Sequence, residues 1–224
     1  MYFGCLNKSD YICNYNKFVY TMIKFHDVKT TDRELVQSYT LCSDRQNCDL
    51  SFANIISWRF LYNTQIAEVD GFLVFRFYIG HHLAYMAPVW KGEWNELMSE
   101  LFAKVVRQMR DDSITLGHPF LMLGVCTNMV EILESIFPDT FYIKPDRDYF
   151  DYIYTREKLA TLAGKKLQSK RNHCNRFRKT YPNYEYRPLT KDMIPECLAV
   201  EANWRTVTTE DNNEEEEISE ELRS

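Results

Sequence analysis

The chain has 224 residues, is 45% hydrophobic and 15% aromatic, and carries a formal net charge of −5. That composition can bury a sizeable core in one large or two small domains, and it excludes disorder as the overall state. Its seven cysteines are odd in number and contain no CxxC pair, which argues against a disulfide framework or zinc site and for free thiols in a reducing compartment.

The opening MYFGCLNKSDYICNYNKF has no apolar stretch long enough for a signal peptide. The most apolar run, FLVFRFYIG, is broken by Arg76 and falls far short of the roughly 20 residues of a membrane span. A soluble, cytoplasmic protein is therefore expected. Residues 1–21 lack clear periodicity and read as an N-terminal extension outside the fold.

From Met22 the pattern sharpens. Ile23 to Val28 predicts a short strand, and Thr31-Asp32-Arg33-Glu34 resembles a capping box opening a helix. A second helix fits residues 51–62. Gln65–Val69 and Gly71–Ile79 predict a hairpin around Asp70-Gly71. The second run is apolar at both parities except at Arg76, so its strand should be buried on both faces.

Leu83 to Val89 predicts a third strand, ended by Pro88 and Gly92. Residues 94–110 give the cleanest helix, with apolar positions from Trp94 to Met109. Phe120–Val125 predicts a buried strand. Thr127 or Asn128 caps the next helix, which stops at Pro138. Strands are expected near Phe141–Ile143 and from Tyr149 to Tyr154. This order predicts an α/β protein with a mixed sheet flanked by helices. It is similar to the element order of the acetyltransferase-like (GNAT) fold.

Residues 162–179, LAGKKLQSKRNHCNRFRK, hold seven Lys or Arg in eighteen positions. Read as one helix, 156–181 places Leu159, Ala163, Leu167, Cys174, Phe177 and Tyr181 on one face, until Pro182 ends it. Two readings stand side by side. One is a solvated face whose cations suit the helix C-terminus. The other is a phosphate-binding surface, with Phe177, Tyr181, Tyr184 and Tyr186 placed to stack on bases or an adenine ring. The candidate phosphate contacts are Lys165, Lys166, Lys170, Arg171, Arg176, Arg178 and Lys179, with Asn172 as a further polar contact.

The run DRDYFDYIYTREKLATLAGKKLQSKRNHCNRF resembles the bacterial family that shares the C-terminal domain of phosphatidylglycerol lysyltransferase. The matching positions are Asp151, Tyr152, Tyr154, Leu159, Leu162, Gly164, Lys165, Lys166, Lys170, Arg171, Asn172 and Phe177. The resemblance extends less sharply from Met22 to about Trp204. It implies tandem acetyltransferase-like domains, similar to peptidyltransferases that use aminoacyl-tRNA and move its aminoacyl group to a lipid or a peptidoglycan precursor. Aminoacyl-tRNA, or alternatively acyl-CoA, is then the donor. The cationic helix would hold phosphates of tRNA, CoA or a lipid head group. The alternative is a non-catalytic or truncated module that binds RNA or another anionic partner.

A second whole domain of that kind needs about another hundred residues past Trp204. Here TVTTEDNNEEEEISEELRS follows instead, so the second domain is expected as a stub of helix, strand and helix, whose uncovered apolar surface would favour a homodimer. The expected organisation is an extension (1–21), an acetyltransferase-like domain (22–145), the basic helix with a partial second domain (146–206) and a disordered acidic tail (207–224). Residues 210–221 carry eight acids; without them 24 acids face 27 bases, a slightly basic body.

Other candidates are weaker. APVWKGEWNEL, with Lys91 and Gly92, lacks the Q/R-x-x-G-x-G/A loop that would hold CoA pyrophosphate, and reads as a plain turn. His81-His82 would point to opposite faces of a strand, so no metal site is expected. Asp146, Arg147, Asp148 and Asp151 read as a charged loop, with Asp151 a general base only if burial or a neighbour tunes it. Glu201 and Trp204 share a helix face, which favours packing over catalysis.

Overall fold

The computed structural model describes residues 2–6, 22–43, 45, 47–147 and 150–211. They form two compact units, one running through Asp151 and the other beginning at Tyr152.

The first unit is built on a mixed sheet. Its described strands are β1 (Tyr2–Leu6), β2 (His26–Asp27), β3 (Gln65–Val69), β4 (Phe72–Ile79), β5 (His82–Met86), β6 (Val89–Trp90), β7 (Leu121–Val125) and β8 (Phe141–Pro145). Their spatial order is β2-β3-β4-β5-β7-β1-β8, with β6 pairing on β4. Only β5 and β7 run parallel; the other pairs are antiparallel. The helices are α1 (Arg33–Thr40), α2 (Phe52–Tyr62), α3 (Glu96–Thr115) and α4 (Thr127–Ile136).

The β3–β4 hairpin turns at Asp70 (φ 48°) and Gly71 (φ 82°). Two consecutive positive φ values define the turn whose twist matches the flanking strands, which is why Asp-Gly signals it in the sequence. Beyond the turn, β4 is apolar at both parities because helices cover both faces. Phe72 and Val74 pack with Phe102, Val105, Met109, Met129 and Leu133 of α3 and α4. Leu73 and Phe75 pack with Val36, Tyr39 and Ile55 of α1 and α2. The unit is thus a three-layer sandwich with β4 at its centre.

Helix α3 begins where Asn95 accepts a hydrogen bond from the Met98 N–H at 2.9 Å. It runs five residues beyond the expected end at 110. The extra turn brings in Asp112, 5% exposed, which anchors the exceptional residue of β4: Arg76 donates to its carboxylate at 2.8 Å. Tyr85 donates to the same carboxylate oxygen at 2.6 Å, and Arg76 Nε also donates to Gln65 at 3.1 Å. A buried charge is tolerable only when paired and hydrogen-bonded, and this network meets both conditions.

Several expectations change. The strand predicted over 23–28 shortens to His26–Asp27, because only those residues pair with β3. The residue at the cap of α4 is Cys126, whose side chain makes no capping bond, rather than Thr127 or Asn128. Residues 150–154 form no strand, and 149 lies outside the described residues. The N-terminal extension is not wholly outside the fold: Tyr2–Leu6 pair with β7 on one side and β8 on the other. Short segments without internal periodicity give little sequence signal when flanking strands supply their pairing. Residues 7–21 are not among those described.

The second unit contains α5 (Arg156–Thr161), α6 (Gln168–Thr180) and α7 (Ile194–Asp211). The single helix expected over 156–181 is broken. Leu162 (φ 49°) ends α5 in the left-handed region, Gly164 (φ 90°) follows, and a short 3-10 turn at Lys165–Leu167 leads into α6. A glycine that takes positive φ at little steric cost explains the break. The apolar stripe drawn from Leu159 to Tyr181 therefore spans two helices. Residues 184–190 form no strand, so helices alone make up the described secondary structure here. Helix α7 reaches Asp211, taking in the first residues of the expected tail; 212–224 lie outside the described residues. Among the described residues no helix is long and apolar enough to cross a membrane.

Candidate functional site

The cations of α6 and the turn before it differ in what they do. Arg171 is engaged locally: its Nη1 donates to the carbonyls of Leu162 and, at 2.9 Å, Gly164, and its Nη2 donates to Gln168 Oε1 at 2.9 Å. It closes the break between α5 and α6 by satisfying carbonyls that the end of α5 leaves without helical partners. Arg176 lies 3.2 Å from His173 Nδ1, and Arg178 donates to Asn175 at 3.4 Å. Lys165, Lys166, Lys170, Asn172 and Lys179 are exposed. Among the described residues, none of the seven cations forms an ion pair with a carboxylate.

Beside these cations stands an aromatic group. The Phe177 ring lies 5.1 Å from Tyr181 and 5.2 Å from Tyr184, the latter edge-on. Phe177 and Tyr184 are each 48% exposed, so the cluster holds its shape while facing outward. Tyr186 stands apart and almost fully exposed. Exposed cations next to available ring faces are the two ingredients of a sequence-tolerant single-strand or nucleotide surface.

In the first unit Asp151 has a defined task. Its Oδ2 accepts from the Cys48 N–H at 3.2 Å and its Oδ1 takes the Cys48 thiol at 3.0 Å. That hydrogen bond, followed by burial and the charge of Asp49, pushes the Cys48 thiol up to about 11. Burial, then the charge of Asp151, pushes the neighbouring Asp49 carboxyl upward. Asp148 lies outside the described residues. His81 and His82 are exposed at the β4–β5 turn, and no cluster of three or more metal-binding side chains occurs among the described residues. Lys91 stacks over the Tyr39 ring at 4.4 Å, while Gly92 (φ 89°) turns the chain toward α3. On α7, Glu201 is half-buried and Trp204 exposed.

Strand β5 carries a feature that residue patterns did not disclose. Phe77 pairs with Ala84 and Leu73 with Val89, so four steps along β4 match five along β5 and β6. One extra residue is accommodated at Ala87-Pro88, which is a β-bulge. Pro88 removes an N–H from the ladder and fits a bulge; read from sequence alone it marked a strand end. Beyond the bulge, β5 and β7 separate after two parallel pairs, Tyr85↔Met122 and Met86↔Leu123. Arg45, from the segment joining α1 to α2, donates to the freed carbonyls of Ala87, at 2.6 Å, and Pro88. Nothing in the sequence around Arg45 pointed to this role.

Comparison with known proteins places the chain. The family model described as phosphatidylglycerol lysyltransferase, C-terminal, matches residues 42–223. None of the curated proteins matches. A crystal structure described as a conserved protein of unknown function from Bacteroides thetaiotaomicron is 50% identical, with a TM-score of 0.77 over 90% of this chain. The match covers 65% of that relative, so this chain spans about two thirds of its length. On the family match, which includes the basic run and its flanks, the chain belongs to the phosphatidylglycerol lysyltransferase C-terminal family.

Proposed function

We propose that the chain is an acyl- or aminoacyl-transferase-like protein whose α6 surface holds the phosphates of its donor or acceptor. The observation that carries this reading is the run of exposed cations on α6 without carboxylate partners, beside the Phe177–Tyr181–Tyr184 cluster. A helix whose cations served only solubility would need neither the clustering nor the rings. The family match and the element order support an acetyltransferase-like fold and an aminoacyl-tRNA donor.

In such a transfer an acceptor hydroxyl or amine attacks the carbonyl carbon of an aminoacyl ester. The old ester C–O bond breaks, and the acceptor's proton ends on the departing ribose oxygen. The ester is already activated, so orientation accounts for most of the rate. Lys165, Lys166, Lys170, Arg176, Arg178 and Lys179 would then position phosphates by charge-assisted hydrogen bonds, while Arg171 keeps the turn in shape.

The test is tRNA binding as a function of salt. Each phosphate contact on a single strand contributes about 0.7 to the slope of log K against log[salt]. Replacing those six cations with Gln should flatten the slope by about 4 and weaken binding at low salt by more than tenfold. An unchanged slope refutes the phosphate role. Tight binding of tRNA by the unaltered chain, with no aminoacyl transfer to any lipid or amine acceptor, favours the binding-module alternative.

A further inference from the structure

The bulge in the first unit holds a positive charge that nothing among the described residues neutralises. The Arg45 guanidinium is buried against the first turn of α4, with Nη2 3.4 Å from Met129 Sδ, and it lies 5.4 Å from the Trp90 ring centroid. Its two Nη groups serve the carbonyls of Ala87 and Pro88. Its Nε is buried with no acceptor among the described residues. No carboxylate pairs with it among the described residues. Burial lowers the guanidinium to about 10, which leaves it charged at neutral pH.

Buried charges are ordinarily paired, and buried N–H groups ordinarily have acceptors. The same place gathers further donors. Helix α4 starts here at Thr127; the N–H groups of Met129 and Val130 already donate to the Cys126 carbonyl, which leaves those of Thr127 and Asn128 at the helix end, and Cys126 at its cap makes no side-chain capping bond. The positive end of the helix and the guanidinium thus face one small region, where β5 and β7 part. In an open sheet, the crevice beyond the carboxyl ends of parallel strands is where ligands bind.

We propose that Arg45 Nε and the N-terminus of α4 form a binding site for a carboxylate group of a small molecule. One positive charge and one side-chain N–H that are unmatched among the described residues suit a singly charged, planar acceptor. A phosphate dianion would call for a second cation. The flanking Trp90 and Met129 side chains suit an organic acid with a short apolar body. Cys126 lies at the edge of the site, half-buried, close enough that a negative charge there favours the charged form of Arg45. The proposal uses residues of the first unit alone and does not rest on the reading of α6.

The test uses Cys126 as a reporter on the full chain. Iodoacetate carries a carboxylate and iodoacetamide does not; alkylation at each cysteine is followed by peptide mass spectrometry. The ratio of iodoacetate to iodoacetamide rates at Cys126 should exceed that at exposed Cys42 by about tenfold, since a local positive charge concentrates the anionic reagent. Acetate should protect Cys126, and Arg45→Gln should return the ratio to that of Cys42. Equal ratios at the two cysteines overturn the proposal, as does protection by inorganic phosphate but not by acetate. Should Cys126 prove closed to both reagents, or Arg45→Gln fail to fold, the Nε–H resonance of Arg45 in the unaltered chain decides. The resonance is assigned by its absence in Arg45→Lys. Movement on adding acetate supports the site, and an unmoved resonance overturns it.

Discussion

Cys48 is exposed, yet its thiol donates to a carboxylate, and the two facts predict opposite reactivities. With the thiol raised to about 11 by Asp151, burial and Asp49, its thiolate is scarce at pH 8. Lower thiolate content is partly offset by the higher nucleophilicity of a more basic thiol. Iodoacetamide should therefore label Cys48 roughly tenfold more slowly than Cys42 at pH 8. Asp151→Asn should lift most of that difference, read by peptide mass spectrometry across pH 7–10. In the folded state the thiol thus titrates above its ordinary 9.0. Any support the contact gives the fold is thus complete below about pH 9 and is lost as pH rises through about 11. Asp112 offers a second test. Asp112→Ala removes the partner of Arg76 and the acceptor of Tyr85 together. Leaving a buried charge unpaired costs about 3–5 kcal/mol, so urea denaturation should show a loss of that order. Replacing Arg76 with Met in the same chain should recover much of it, because removing both charges removes the desolvation cost as well.

At the scale of elements, the second unit depends on a break that the basic run conceals. Hydrophobic spacing alone allows one helix from 156 to 181, and Gly164 was the sole local sign against it. What settles the geometry is Arg171, which reaches back to the Leu162 and Gly164 carbonyls. Arg171→Ala should cost about 1–3 kcal/mol through those charged hydrogen bonds and lower helical circular dichroism, whereas Lys170→Ala should leave the signal within a few per cent. The strands tell a similar story. The β3–β4 hairpin and the doubly buried β4 were legible because Asp70-Gly71 and an apolar run are local signals. The bulge at Ala87-Pro88 was not, because it is defined by register against β4, which one strand's sequence does not contain. Likewise Arg45 became visible only once the fold carried it to a strand forty residues away.

Across the whole molecule, the layered α/β character and the family followed from patterns spread over the chain: the apolar periodicity of α3 and α4, and the run from Asp151 to Phe177. The part played by Tyr2–Leu6 did not, since a five-residue segment lacks a period of its own and owes its place to β7 and β8. Those two strands do not touch each other; each is joined to the sheet or to its neighbour through the intervening β1. This keystone arrangement has a kinetic cost. Residues near the beginning of the chain are made first, but their two flanks arrive only after about 120 and 140 further residues have been added. Such distant pairings close slowly, so Tyr2–Leu6 must wait, once made, until synthesis has nearly completed the sheet they will lock.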